Sequence, residues 1–142
     1  MGLLSGIRLL AVDTETTGLS LDAGDRLVEV ARVELVGGAL GEGWSSLVRP
    51  GRAIPPEATR VHGITDAMVA AAPERDGVGR ALREACGDLP LVFHNAPFDL
   101  PFLVHLFRAA GAPALLNPIV DTLGLARGLP GTGSNSLGPL AA

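Results

Sequence analysis

Two carboxylates stand one residue apart in Asp13-Thr14-Glu15, directly after the apolar run of residues 7–12. Side chains on a strand alternate with period two, so Asp13 and Glu15 project to one face and Thr14 to the other. Like charges at the mouth of a buried strand repel each other and resist desolvation. The pair is stable if it stays solvated, if one acid is protonated, or if a cation sits between the two. Donors that are all oxygen favour Mg2+ or Mn2+ over zinc. The structural alternative is a solvated strand end whose acids cap the Thr16-Thr17-Gly18 turn. A third carboxylate, Asp99, lies in the first turn of a helix opened by Pro97, where the macrodipole favours an acid for structural reasons alone. His94 and Asn95 end the strand before that helix, with Asn95 placed to serve as its N-cap.

The other residues with chemical potential have plain structural readings. His62 precedes Gly63 in a turn-prone stretch and can cap it. His105 follows Phe102 by three on an apolar helix, which suits a packed or half-exposed residue better than a ligand. Cys86 reads as a buried, inert helix residue and Trp44 as hairpin packing. Asp121 follows a short apolar run, where it would cap the next helix.

The elements that must position these residues follow from hydrophobic periodicity. Residues 7–12 are too few for a helix and form a buried strand. Residues 18–25 are a loop. Residues 26–36 alternate apolar and polar, as a half-buried strand does, and Gly37-Gly38 turns the chain into an antiparallel partner over 39–48. Residues 50–56 are irregular, and 57–72 hold one or two short helical turns broken at Gly63. A helix spans about 74–86, a strand 89–93, and a second helix runs from Pro97 to Gly111 with Phe98, Phe102, Leu106 and Phe107 in its apolar stripe. A last strand at Ile119-Val120, a brief helix over 123–127, a loop over 128–135 and a helix beginning at Ser136 complete the chain. A hairpin followed by strand–helix units predicts a mixed α/β sheet with helices on its faces.

Composition bounds what such a protein does. At 142 residues the chain makes one domain, large enough to bury about two-thirds of its unfolded surface without a metal or disulfide staple. A single cysteine excludes a disulfide framework and a cysteine-based zinc site. No apolar run approaches the roughly 18 residues of a membrane span, and the N-terminus lacks a signal-peptide pattern. The expectation is therefore a soluble cytoplasmic protein with no membrane partner. The net charge of −4 excludes a broad basic face for duplex nucleic acid, but not a grip on a single strand end where metal ions supply the positive charge.

Taken together, the stretches at residues 12–18 (Val-Asp-Thr-Glu-Thr-Thr-Gly) and 93–99 (Phe-His-Asn-Ala-Pro-Phe-Asp) resemble two motifs of the DnaQ-like 3′–5′ exonucleases, the proofreading-subunit branch of the DEDD superfamily. Val61-His62-Gly63-Ile64-Thr65 is similar to that family's His-Gly-Ile segment, and Val120-Asp121-Thr122-Leu123 to its Asp-Thr-Leu helix start. The resemblance implies a ribonuclease H-like fold, a mixed sheet of about five strands flanked by helices. It implies that Asp13, Glu15 and Asp99 hold two divalent ions, Mg2+ or Mn2+, at a scissile phosphodiester. Thr16, Thr17 and Gly18 would line the cleft for a 3′-terminal nucleotide, His62 and Phe98 would flank its base or sugar, and Asn95 would orient the strand. The implied substrate is a single-stranded DNA 3′ end, RNA being an alternative that shares every residue, and the implied partner is a DNA polymerase subunit.

One part of the pattern is missing. The family carries a late His-x-x-x-x-Asp or Tyr-x-x-x-Asp, supplying a fourth carboxylate and a general base. This chain has no His after His105, no Asp after Asp121 and no Tyr, and ends five residues after Asn135-Ser136-Leu137. Loss of the base removes about 10²–10⁴-fold of proton-transfer assistance. The expectation is an exonuclease domain over residues 1–142, C-terminally incomplete and weakly active, with exposed apolar surface around Leu137 and Leu140. The alternative is a non-catalytic remnant that binds a nucleic-acid end or a polymerase.

Overall fold

The computed structural model describes residues 2–3 and 5–127. Expectations for the loop over 128–135, the helix at Ser136 and the apolar surface at Leu137 and Leu140 lie outside the described residues. The described elements are β1 (Arg8–Thr16), β2 (Leu27–Val36), β3 (Ala39–Leu47), α1 (Pro56–His62), α2 (Asp66–Val69), α3 (Arg75–Cys86), β4 (Leu91–Phe93), α4 (Ala96–Ala109), β5 (Ile119–Asp121) and α5 (Thr122–Arg127). They build a five-stranded mixed sheet in the order β3-β2-β1-β4-β5. β1 and β2 pair antiparallel, as do β2 and β3 through the Gly37-Gly38 turn, whose two positive φ angles of 59° and 85° suit a tight hairpin. β4 pairs parallel with β1 and β5 parallel with β4.

β1 is longer than its apolar run. Rather than ending at Val12 it continues to Thr16, because β2 keeps offering a partner, with Thr14 opposite Val30 and Glu15 opposite Glu29. The apolar pattern stops where the core stops; the backbone pairing does not. β4 is shorter than the run over 89–93, since Pro90 has no N–H and the Leu89 amide bonds back to the Cys86 carbonyl.

The core lies on one side of the sheet. Leu10 and Val12 of β1, Val30 of β2 and Leu91 of β4 meet Val78, Leu82 and Cys86 of α3 and Phe102, Leu103, Leu106 and Phe107 of α4. Leu10, Leu82 and Leu103 are fully buried, and each such side chain contributes about 1.5–3 kcal/mol. Cys86 is buried here, and burial raises its thiol pKa. Trp44 packs on the edge of this core from β3. A second cluster of Val28, Ile54, Ile64 and Val69 seats the α1–α2 segment beside the start of β2. The opposite sheet face, with Ala11, Ala31, Val33 and Val92, opens on a groove of about 330 Å³. Among the described residues no helix is long and apolar enough to cross a membrane.

Candidate active site

β1 delivers Asp13-Thr14-Glu15 in extended conformation, and their burial alternates: Asp13 is exposed, Thr14 buried and Glu15 half-buried. Asp13 lines the groove on the open sheet face, beside His94 and Thr122. Glu15 lines a separate cleft of about 650 Å³, together with Thr14, Thr16, Thr17, Gly18 and His62. Burial raises the Glu15 pKa, and Asp13 and then Glu29 add to that against the opposing influence of His62.

Asp99 comes from the first turn of α4 and is only 4% exposed. Thr14, which points away from the Asp13 and Glu15 face, donates its hydroxyl to Asp99 Oδ1 at 2.5 Å. Burial pushes Asp99 up to about 6; the Thr14 bond opposes the rise, and repulsion from Asp13 and Glu15 adds to it. The three acids therefore act on one another, and among the described residues no basic side chain offsets the charge on Asp99. That donor set, all oxygen and short of a counter-charge, fits a divalent cation. The carboxylates do not yet form a cage. Among the described residues no three His, Cys, Asp or Glu side chains stand together closely enough to hold a metal ion.

The far wall of the cleft is α1, with Pro55, Ala58, Val61 and His62. The Ile64 N–H donates to His62 Nδ1 at 3.0 Å, so the ring proton sits on Nε2, which donates to the Thr16 carbonyl at 3.1 Å. Both nitrogens are engaged, so His62 caps its turn as the sequence allows and also lines the cleft, leaving its ring face for packing. Phe98 lines the cleft as well and stacks at a tilt on Phe102, with ring centroids 5.3 Å apart.

The floor is held by a small network. Thr17 Oγ1 donates to Asp25 Oδ1 at 3.0 Å and accepts the Arg26 N–H at 3.1 Å. Asp25 also accepts from the Ser20 amide at 3.1 Å and from Arg52 Nη1 at 3.3 Å. A Cβ on Gly18 would fall 2.4 Å from this pinned carboxylate, so the turn needs glycine.

Asn95 sits at the N-cap position of α4 in the left-handed region, φ 81°, but its side chain makes no cap hydrogen bond and it does not line the cleft. Its amide donates to Asp121 Oδ1 at 2.9 Å, and the same oxygen accepts the Leu123 amide at 3.1 Å. Burial tends to raise the Asp121 pKa, but backbone N–H groups of Asn95, Ala96, Leu123 and Gly124 outweigh it and hold the carboxyl below the usual range. Asp121 thus caps α5, as its position suggests, and ties down the start of α4. Thr122 donates to the Phe93 carbonyl at 3.1 Å, so His94 Nδ1, 2.9 Å away, is the donor to Thr122. His105 stays outside the cleft, with a buried Nε2 that has no hydrogen-bond partner among the described residues.

Glu15, Thr16, Thr17, Gly18, His62 and Phe98 are therefore gathered in one cleft, while Asp13 opens on the neighbouring groove and Asp99 sits behind Thr14. Sequence reasoning missed Thr14, Asp25, Leu19 and Val61. The last two, 85% and 83% exposed, form an apolar cleft rim and adjoin the Thr-Thr-Gly and His-Gly segments, which was the available signal.

Comparison with known proteins shows the family and the fold. The RNase_T exonuclease family model matches residues 10–142. An epsilon-like DNA polymerase III subunit of Rhodobacter capsulatus is 45% identical over 122 residues, 84% of this chain and 17% of that protein. The DNA polymerase III epsilon subunit of Rickettsia felis is 36% identical over 138 residues, 93% of this chain and 60% of that protein. The chain thus spans less than two-thirds of either relative. Among solved structures, exonuclease X in complex with 5′ overhanging duplex DNA superposes with a TM-score of 0.71 at 34% identity, over 93% of this chain and 70% of that one. Product-bound exonuclease I shares the fold, with a TM-score of 0.76 at 19% identity over 87% of this chain and 31% of that one. With its mixed sheet flanked by helices in the ribonuclease H-like arrangement, the chain belongs to the RNase_T exonuclease family.

Proposed function

We propose that this chain is a metal-dependent 3′–5′ exonuclease that releases nucleoside monophosphates from the 3′ end of single-stranded DNA, in a proofreading role beside a DNA polymerase in the cytoplasm. The observation that carries the reading is the mutual repulsion of Asp13, half-buried Glu15 and buried Asp99 beside a cleft of about 650 Å³. Family membership and the polymerase subunits among its relatives support it. Asp13, Glu15 and Asp99 would hold the ions, Mg2+ or Mn2+. When bound, such ions supply charge neutralisation and an acidified water at the phosphodiester.

The chain's own residues do the rest. Thr16 and Thr17 fix the cleft floor through Gly18 and Asp25 and present polar backbone to the terminal sugar. His62 and Phe98 offer ring faces to the terminal base, a contact that tolerates any sequence. Asn95, anchored by Asp121 at the head of α4, orients the incoming strand.

A second reading, a non-catalytic module that binds a nucleic-acid end, is favoured by the spacing of the acids, since among the described residues no three potential ligands stand close enough to cage a metal ion. Single-stranded DNA labelled at its 3′-terminal nucleotide separates the two. With Mn2+ the exonuclease releases labelled mononucleotide, EDTA stops it, and Asp13→Ala lowers the rate at least about 10²-fold. Binding without release, or release untouched by D13A, contradicts the exonuclease reading.

A further inference from the structure

The arginines are not spread evenly over the surface. Arg26, Arg49, Arg52 and Arg75, four of the eleven basic residues, line one polar groove of about 370 Å³ together with Gly24 and Glu74. Two of the four are countered: Arg49 reaches Glu74 at 2.7 Å and Arg52 reaches Asp25 at 3.3 Å. The other two are not. Arg26 donates only to the backbone carbonyls of Leu21 and Asp25, and among the described residues no carboxylate pairs with Arg75. Glu74, the N-cap residue of α3, makes no side-chain cap because its carboxylate is turned to Arg49, and Asp76 supplies the acid of that helix's first turn. The groove therefore holds two guanidinium groups without an ion-pair partner among the described residues, in a chain whose net charge is −4.

Its position gives that charge a use. The loop between β1 and β2 is the wall between this groove and the carboxylate cleft. Asp25 lines the cleft and carries the Arg52 ion pair, while Arg52, Gly24 and Arg26 line the groove on the other side. A strand whose 3′ end occupies the cleft has this groove as its neighbouring basic channel.

We infer that the Arg26–Arg49–Arg52–Arg75 groove binds backbone phosphates of the DNA strand upstream of the nucleotide held in the cleft. The inference rests on the exonuclease reading for what sits in the cleft, but the groove's own affinity needs neither metal nor catalysis. Guanidinium groups suit phosphate oxygens by their fork geometry, and contacts to the backbone are independent of sequence. Such a groove explains how an acidic protein holds more than the terminal nucleotide without a broad basic face.

The test is binding in EDTA, where no hydrolysis occurs, read by fluorescence anisotropy with labelled dT3 and dT12. The 142-residue chain should bind dT12 at least about tenfold more tightly than dT3. Arg75 is exposed, so Arg75→Glu leaves the fold intact, as circular dichroism checks. R75E should remove most of that length gain and flatten the salt dependence by about 0.7 in log–log slope, the share of one phosphate contact on a single strand. Arg75→Lys should retain most of the gain. Arg108→Glu, in the last turn of α4 and outside the groove, changes net charge equally and should leave dT12 binding close to wild type. No length gain, or equal effects of R75E and R108E, overturns the groove. Metal-dependent release with an R75E-insensitive length gain overturns the groove alone. A selective R75E loss without any 3′ release leaves the groove standing and removes the exonuclease reading.

Discussion

Asp99 is buried by the α4 packing and pressed by two neighbouring acids, and in the metal-free chain that combination works against its ionisation. Its pKa is about 6 in the folded protein, whereas an unfolded aspartate titrates near 3.9. The folded state therefore holds the extra proton, and stability falls as pH rises from about 4 through about 6, by about 2–3 kcal/mol in all. In EDTA the melting temperature should be higher at pH 5 than at pH 7, and Asp99→Asn, which keeps the size and the Thr14 contact, should remove most of that difference, Glu15 contributing the remainder. A pH-independent melting curve for the wild type over this range contradicts the assignment. The acid itself was legible in the sequence, from its place after Pro97 in a motif. Its partner was not, because Thr14 is 85 residues away and only the packing of α4 on β1 brings the hydroxyl to it. The same holds for Asp25 and Arg52, whose pairing joins two loops that no local pattern links.

At the scale of elements, the site depends on α4 lying close to the sheet, and α3 helps hold it there. Gly79 of α3 is the contact point: an added Cβ would fall 2.8 Å from Ala110 Cβ and 2.9 Å from the Leu106 carbonyl oxygen. Alanine gains about 1 kcal/mol of helix propensity over glycine, but overpacking against a neighbouring helix costs about 1–3 kcal/mol. Because one obstacle here is backbone, Gly79→Ala should destabilise by about 1–2 kcal/mol and lower 3′ release with it, as thermal melting and the labelled-strand assay read. A rise in melting temperature contradicts that packing. Element types and order were legible from periodicity and turn residues, since apolar runs and glycines are local signals. Element ends were less so: β1 outlasts its apolar run because β2 supplies hydrogen-bond partners through Thr16, and β4 is cut short by Pro90.

Across the whole molecule, charge is arranged rather than averaged. Carboxylates gather at the end of β1 and the head of α4, and four arginines gather beyond the loop that walls them off. The net charge of −4 conceals both, which is why composition argued against a broad nucleic-acid face while the motifs argued for a phosphodiester substrate. The central claim is that the β1 and α4 carboxylates take divalent metal. Crystals grown with Mn2+ and thymidine monophosphate test it directly through the anomalous signal of the metal. A manganese peak bonded to Asp13 is expected, with a second position more weakly filled because Asp99 sits behind Thr14 and is held by its hydroxyl. A map with the nucleotide bound and no manganese at Asp13, Glu15 or Asp99 contradicts it.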